Sequence, residues 1–202
     1  MFKYYIFYKP FYVLSQFSKK DERLCLSDFI KIDKDCYPIG RLDYDSEGLL
    51  IITNDKYLHK IITSPKYKVK KTYLVQVEGL INDFAINELL NGVIIKVKNK
   101  NFKVKADSII RLETIILPER RPSIRFRKNI PTSILEIVLT EGKNRQIRKM
   151  TAKVGFPTLR IIRTKINNLT LENLEAGDLL EVSQNTIYNK LNLQFYNKLL
   201  VY

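Results

Sequence analysis

The polar segment from Arg41 to Glu47, bracketed by Gly40 and Gly48 and followed by the unbroken apolar run Leu49-Leu50-Ile51-Ile52, constrains this chain more than any other stretch. A short apolar approach, residues 36–39, leads into it. An apolar run of four with no alternation fits a strand buried on both faces, so the pattern reads strand, tight loop, strand. The loop then lifts Asp43 out at a strand end, two residues after Arg41, on a scaffold that two buried strands hold rigid. Loops held in this way are where catalytic residues tend to sit. On local pattern alone, Asp and Gly in such a connection are equally well explained as turn chemistry. Asp45 and Glu47 read as turn and capping residues.

In chain order, residues 3–8 are rich in aromatics and predict a first strand, stopped by Lys9-Pro10 because proline cannot donate to a ladder. Residues 24–30 predict a short helix with Ser27 near its start. Asp55 predicts the N-cap of a helix carrying Leu58, Ile61 and Ile62 on one face and ended by Pro65; the lone His59, on the opposite side, is read as surface. Residues 70–77 alternate as a strand with Tyr73, Val75 and Val77 on one face, and pattern alone makes Tyr73 as readily a core aromatic as a functional one. Asn82 or Asp83 caps a helix ending at Asn91-Gly92, and residues 93–97 and 103–110 predict further strands.

Residues 117–131 break the pattern, with three prolines and with Arg120, Arg121, Arg125, Arg127 and Lys128 around Ile124 and Phe126. They are too basic to bury and too rich in proline for a central strand. A solvated loop would look the same, but clustered arginines are the footprint of phosphate binding, and an RNA-contacting arm is the favoured reading. Residues 134–139 predict a strand. From 144 to 154 the spacing is helical, with Ile147, Met150, Thr151 and Val154 in one stripe and Arg145, Arg148 and Lys149 opposite. Any amphipathic surface helix would share that pattern. Residues 158–164 predict a strand, and those after Gln184 form a tail of unassigned role.

With 202 residues, 45% apolar content and 22 aromatics (12 Tyr, 10 Phe), the chain is long enough for one large domain or two small lobes. Its net charge of +14 implies a polyanionic partner, because so many uncompensated cations repel one another unless phosphates offset them. Two cysteines and one histidine cannot assemble a disulfide framework or a four-ligand zinc site. No run approaches the ~18 apolar residues of a membrane span, and the N-terminus lacks the features of a signal peptide. A cytoplasmic, monomeric protein is expected, with no metal and no membrane association.

Four motifs, taken together, carry a resemblance. They are Lys9-Pro10 with Val13-Leu14-Ser15-Gln16-Phe17; Gly40-Arg41-Leu42-Asp43 with Ser46-Glu47-Gly48-Leu49-Leu50 and Thr53-Asn54-Asp55; Lys71-Thr72-Tyr73; and Glu141-Gly-Lys143-Asn-Arg145-Gln146-Ile147-Arg148-Lys149-Met150. In this order, with Leu169, Leu174 and Gly177 closing the chain, they resemble the RsuA-type pseudouridine synthases. The resemblance spans residues 3–183, and it implies an α+β fold: a mixed, mainly antiparallel sheet with flanking helices, in two lobes around a catalytic cleft. It further implies one catalytic domain over residues 1–183, without the small N-terminal S4-type module that most members carry, and a tail over 184–202.

The family's chemistry needs no cofactor, since exchanging an N-glycosidic for a C-glycosidic bond involves no redox change and no net water. What it needs is one ionised carboxylate that attacks the nucleoside, at the ribose C1′ or on the pyrimidine ring. The resemblance gives that role to Asp43, gives Tyr73 the role of platform for the extruded base, and makes Arg148 the guanidinium that holds Asp43 charged against desolvation. Arg41 would brace the space the nucleotide leaves. Lys71, Arg120, Arg121, Arg125, Arg127, Lys143, Arg145 and Lys149 would contact RNA, implied to be large-subunit ribosomal RNA or its precursor. A non-catalytic ribosome-assembly factor on the same fold is the alternative, although it would tolerate loss of Asp43, which is present. A glycosidase wants two opposed carboxylates, and only one acid here stands in a motif.

Overall fold

A computed structural model describes residues 1–124 and 130–193. The chain runs β1 (Tyr4–Lys9), β2 (Tyr37–Pro38), β3 (Glu47–Thr53), α1 (Lys56–Thr63), β4 (Lys71–Glu78), α2 (Asp83–Asn91), β5 (Val93–Val97) and β6 (Lys100–Val104). It continues through β7 (Ser108–Leu112), β8 (Thr132–Leu139), α3 (Gln146–Lys153), β9 (Thr158–Ile166), β10 (Leu169–Thr170), β11 (Leu179–Val182) and α4 (Gln184–Lys190). These form two compact units. One comprises Met1–Lys71 and the described residues from Arg163 on, the other Thr72–Ile162.

In the first unit β1 lies antiparallel between β11 and β3, with Tyr4 opposite Thr53 and Lys9 opposite Gly48. Every residue of β1 and β3 is buried, because both faces are covered. Tyr4, Ile6, Leu49 and Ile51 pack with Leu58, Ile61 and Ile62 of α1 and with Ile187 and Leu191 at the end of the described chain. Tyr5, Phe7, Leu50 and Ile52 pack on the other face with Val13, Leu26, Ile30 and Cys36. Alternation on two apolar faces produces the unbroken run seen in the sequence. Asp55 caps α1 as its position implied, one carboxylate oxygen accepting from Tyr57 N at 2.9 Å and Leu58 N at 3.0 Å. The other oxygen accepts from the hydroxyls of Tyr4 (2.9 Å) and Tyr188 (2.7 Å). The segment after Gln184 is therefore, as far as Leu193, part of this core.

The helix expected over 24–30 is a single 3-10 turn, Leu26–Asp28, whose Asp28 carboxylate accepts from Cys25 N at 2.9 Å.

The second unit holds β4, β8 and β7 side by side. β7 and β8 are antiparallel, with Ser108 opposite Val138, and β5 and β6 form a separate hairpin. On β4 the expected face, Tyr73, Val75 and Val77, is buried. Asn82 caps α2 by accepting from Ala85 N at 2.9 Å, and Gly92, at φ +107°, ends it. One strand was expected over 103–110, and there are two. The chain breaks at Ala106, which is buried and whose N–H donates to Leu89 O at 3.0 Å, while Asp107 N donates to Val138 O at 2.9 Å.

Candidate active site

The loop carrying Asp43 is held from below. Leu42 is buried, and the Ser15 hydroxyl both donates to its carbonyl (2.9 Å) and accepts from its N–H (3.1 Å). A two-point clamp on a residue 27 positions away fixes the peptide entering Asp43. On the far side the Asp43 carbonyl accepts from Ser46 N at 3.0 Å, closing the turn. The Asp43 side chain stays half-exposed and Arg41 is exposed. Where the loop rejoins β3, Gly48 has φ +110°, and a Cβ there would sit 2.3 Å from the Arg163 carbonyl oxygen. Arg163, itself buried, donates from Nε to Leu49 O at 2.7 Å.

Beneath the loop lies a charge that sequence reading saw only as part of a motif. Lys9 is fully buried, its ammonium donating to Pro10 O (2.7 Å) and Val13 O (2.8 Å). Burial lowers its pKa from 10.5 to about 7, against the opposing pull of Glu47, Asp45 and, more weakly, Asp43. Glu47, expected to serve the turn, is instead a buried β3 residue facing this cation. No periodicity reports a buried charge at a strand end, and proximity of Lys9-Pro10 to the Asp43 loop is a tertiary fact. The fold disfavours the charged form of Lys9, so between about pH 7 and 10.5 the unfolded chain holds more protons here than the native one. Stability due to this group therefore rises with pH across that window, by at most ~1.4 kcal/mol per pH unit. The difference in unfolding free energy between wild type and Lys9→Met should move in that sense, and a pH-independent difference would show that Lys9 titrates normally.

In the second unit Tyr73 is buried on β4. Arg148 lies half-buried on α3 with a guanidinium nitrogen 3.3 Å from Thr158 O. The turn into α3 is built around buried Gln146, which accepts from Lys143 N (2.9 Å) and donates to Glu141 (2.8 Å). Arg145 takes a left-handed conformation, φ 53°, to start the helix. Lys143 is ion-paired with Glu141 and lies over the Phe102 ring. Lys149 reaches Asn144 at 3.4 Å. Of the cations in the motif Arg145 is exposed, whereas Lys143, Arg148 and Lys149 are half-buried.

Of the other residues expected at RNA, Lys71 belongs to the first unit. Its ammonium donates to Ile62 O at 3.1 Å, near the C-terminus of α1, and burial with the Arg163 charge lowers its pKa to about 8. Its side chain thus serves the fold at that helix end. In the arm, Arg121 is exposed and Arg120 half-buried, with Arg120 Nε donating to Pro122 O at 2.8 Å. Buried Arg160 of β9 donates to Pro118 O at 2.6 Å and anchors the start of the arm, which borders a groove of about 740 Å³. Arg125 and Arg127 lie outside the described residues. Among those described, no helix is long and apolar enough to cross a membrane.

The RNA pseudouridylate synthase family profile matches residues 3–153, and this chain belongs to that family. Ribosomal large subunit pseudouridine synthase E of Vibrio parahaemolyticus is 46% identical over 180 residues, covering 89% of this chain and 74% of that protein. The protein of that name in Xanthomonas campestris is 41% identical over 84% of this chain and 89% of its own length. Ribosomal large subunit pseudouridine synthase B of Bacillus subtilis is 32% identical over 91% of this chain and 69% of its own. A solved structure described as a pseudouridylate synthase superposes with a TM-score of 0.72 over 95% of this chain and 74% of that one; at 22% identity it bears on the fold alone. The α+β pseudouridine synthase fold is therefore the fold of this chain.

Proposed function

We propose that this chain converts one uridine of large-subunit ribosomal RNA, or of its precursor, to pseudouridine in the cytoplasm. The observation that carries the reading is Asp43 itself: the one acid of an intact Gly-Arg-Leu-Asp motif, half-exposed on a loop clamped by Ser15. Family membership and relatives named for large-subunit ribosomal RNA support the substrate class.

In the proposed reaction Asp43 attacks the nucleoside and bonds to it, the N1–C1′ bond breaks, the base turns, a C5–C1′ bond forms, and the bond to Asp43 breaks to return the free carboxylate. The proton leaves C5 and N1 ends protonated, so atoms balance with no other reactant. Tyr73 stacks on the extruded base, recovering part of the few kcal/mol lost on unstacking. Arg148 supplies the positive charge that keeps the nucleophile ionised. Arg41 braces the vacated stack, and exposed Arg121 and Arg145, with half-buried Arg120, contact phosphates.

The test is incubation of the purified protein with a large-subunit rRNA transcript, followed by chemical mapping of pseudouridine. A single modified position is expected. Tight binding without any modification would move the protein to the assembly-factor class. The arm has its own readout: each phosphate contact to single-stranded RNA contributes about 0.7 to the log-log salt slope, so Arg120→Gln with Arg121→Gln should flatten it by about 1.4. An unchanged slope would make that stretch a solvated loop.

A further inference from the structure

Beside the Asp43 loop stands a ladder of rings that neither the motifs nor the proposed reaction uses. Phe11 and Tyr12 are stacked, with centroids 3.9 Å apart and planes at 27°, and Tyr12 is stacked in turn on Tyr44, at 5.0 Å and 11°. The guanidinium of Arg23 lies 5.4 Å from the Tyr44 centroid and is oriented by Asp21, which accepts from its Nε at 2.9 Å. None of these residues belongs to the apolar clusters on the two faces of the sheet. Tyr12 is 44% exposed and sits at φ 56°, a left-handed conformation that disfavours a bulky side chain. A strained backbone presenting an aromatic ring to solvent points to use of the ring rather than to packing. Tyr44 follows Asp43 directly, with its Cα about 3.8 Å further along the chain.

Tyr12 lies between two rings and the exposed Arg23 guanidinium covers the Tyr44 end, so that guanidinium is the plane an incoming base meets. We propose that the Phe11, Tyr12 and Tyr44 ladder, capped by Arg23, is a stacking platform for the unpaired base next to the target uridine. Charge selects the occupant: Arg41 is exposed in the same loop as Tyr44, and the chain carries a net charge of +14, which suits phosphate-linked bases better than an apolar peptide. Stacking is tolerant of base identity because every base has a π-face. The platform thus holds the strand while Asp43 and Tyr73 select the nucleotide. This reading rests on the proposed reaction for its substrate, but it can be tested without turnover.

The probe is a short oligouridylate carrying one 2-aminopurine beside its central uridine, titrated into the full-length protein. Stacking on the platform quenches the 2-aminopurine in wild type, and Tyr12→Ala with Tyr44→Ala weakens binding roughly 5- to 150-fold. Tyr12→Phe with Tyr44→Phe restores both signals, which a lost hydroxyl contact would not allow. An unquenched probe bound to wild type overturns the proposal even if the alanine variant fails to fold, and so does wild-type affinity in a folded alanine variant. Displacement of nothing by RNA but tight binding of a proline-rich peptide at the same rings would make the surface a protein-docking site and also overturn it. Quenching by a wild-type protein that never isomerises uridine would sink the proposed reaction and leave the platform standing. Isomerisation with no quenching and an unaltered KM in the alanine variant would do the reverse.

Discussion

Asp43→Asn should bind rRNA with wild-type affinity and form no pseudouridine, a loss on the order of 10⁴-fold or more in turnover. The amide keeps the size and planarity of the carboxylate, so the loop, the Ser15 clamp on Leu42 and the turn bond to Ser46 persist. What disappears is the negative charge that attacks the nucleoside. The stability cost should be small, within about 1 kcal/mol, because Asp43 is the weakest of the three carboxylates opposing Lys9. Chemical mapping of pseudouridine in a transcript after incubation with the pure variant, alongside its melting temperature, checks both halves. Turnover within tenfold of wild type would remove Asp43 from the chemistry, and a large drop in melting temperature would make the loss of activity a folding effect.

Gly48→Ala should be the most damaging single-methyl substitution near the site. The added Cβ would lie 2.3 Å from Arg163 O and 2.6 Å from Arg163 N, both backbone atoms that no rotamer change can move aside. The φ of +110° adds strain of about 1–3 kcal/mol for any residue with a side chain. Relief requires β3 to move against Arg163, breaking the Arg163 to Leu49 bond and disturbing the Lys9 to Gly48 pairing. A destabilisation of at least ~3 kcal/mol is expected, or roughly 6–12 °C in melting temperature for a chain of this size. Gly142→Ala is the control, since nothing lies within 4 Å of its Cβ position and it should be nearly neutral. Equal melting temperatures for the two variants would contradict the close approach at Gly48.

The elements that were legible in sequence are those whose cause is local. Asp55 announced α1, and the spacing of Leu58, Ile61 and Ile62 gave its buried face; Asn82 and Gly92 marked both ends of α2. The double-faced burial of β3 was readable because it suppresses alternation altogether. Where tertiary partners decide, the pattern misled. The single strand expected over 103–110 concealed a break, made when Ala106 bonds to the end of α2 and Asp107 to β8. The stretch after Gln184 looked like a polar tail, although Ile187, Tyr188 and Leu191 complete the core under β1.

The same division holds at the site. Asp43 could be proposed from sequence because motif order is written along the chain. The Ser15 clamp could not, since a serine bonding a backbone 27 residues away leaves no periodic trace. Lys9 was legible only as part of a motif and Arg163 only as a position in the strand expected over 158–164, yet both are buried and bonded to backbone carbonyls.

The most direct test of the whole account is a pseudouridine map of large-subunit rRNA from cells lacking this gene, carrying in its place either the wild-type chain or Asp43→Asn. One uridine should be unmodified in the deletion, become pseudouridine with the wild-type chain and stay uridine with the variant. A map unchanged by the deletion, or full modification by Asp43→Asn, would contradict the account.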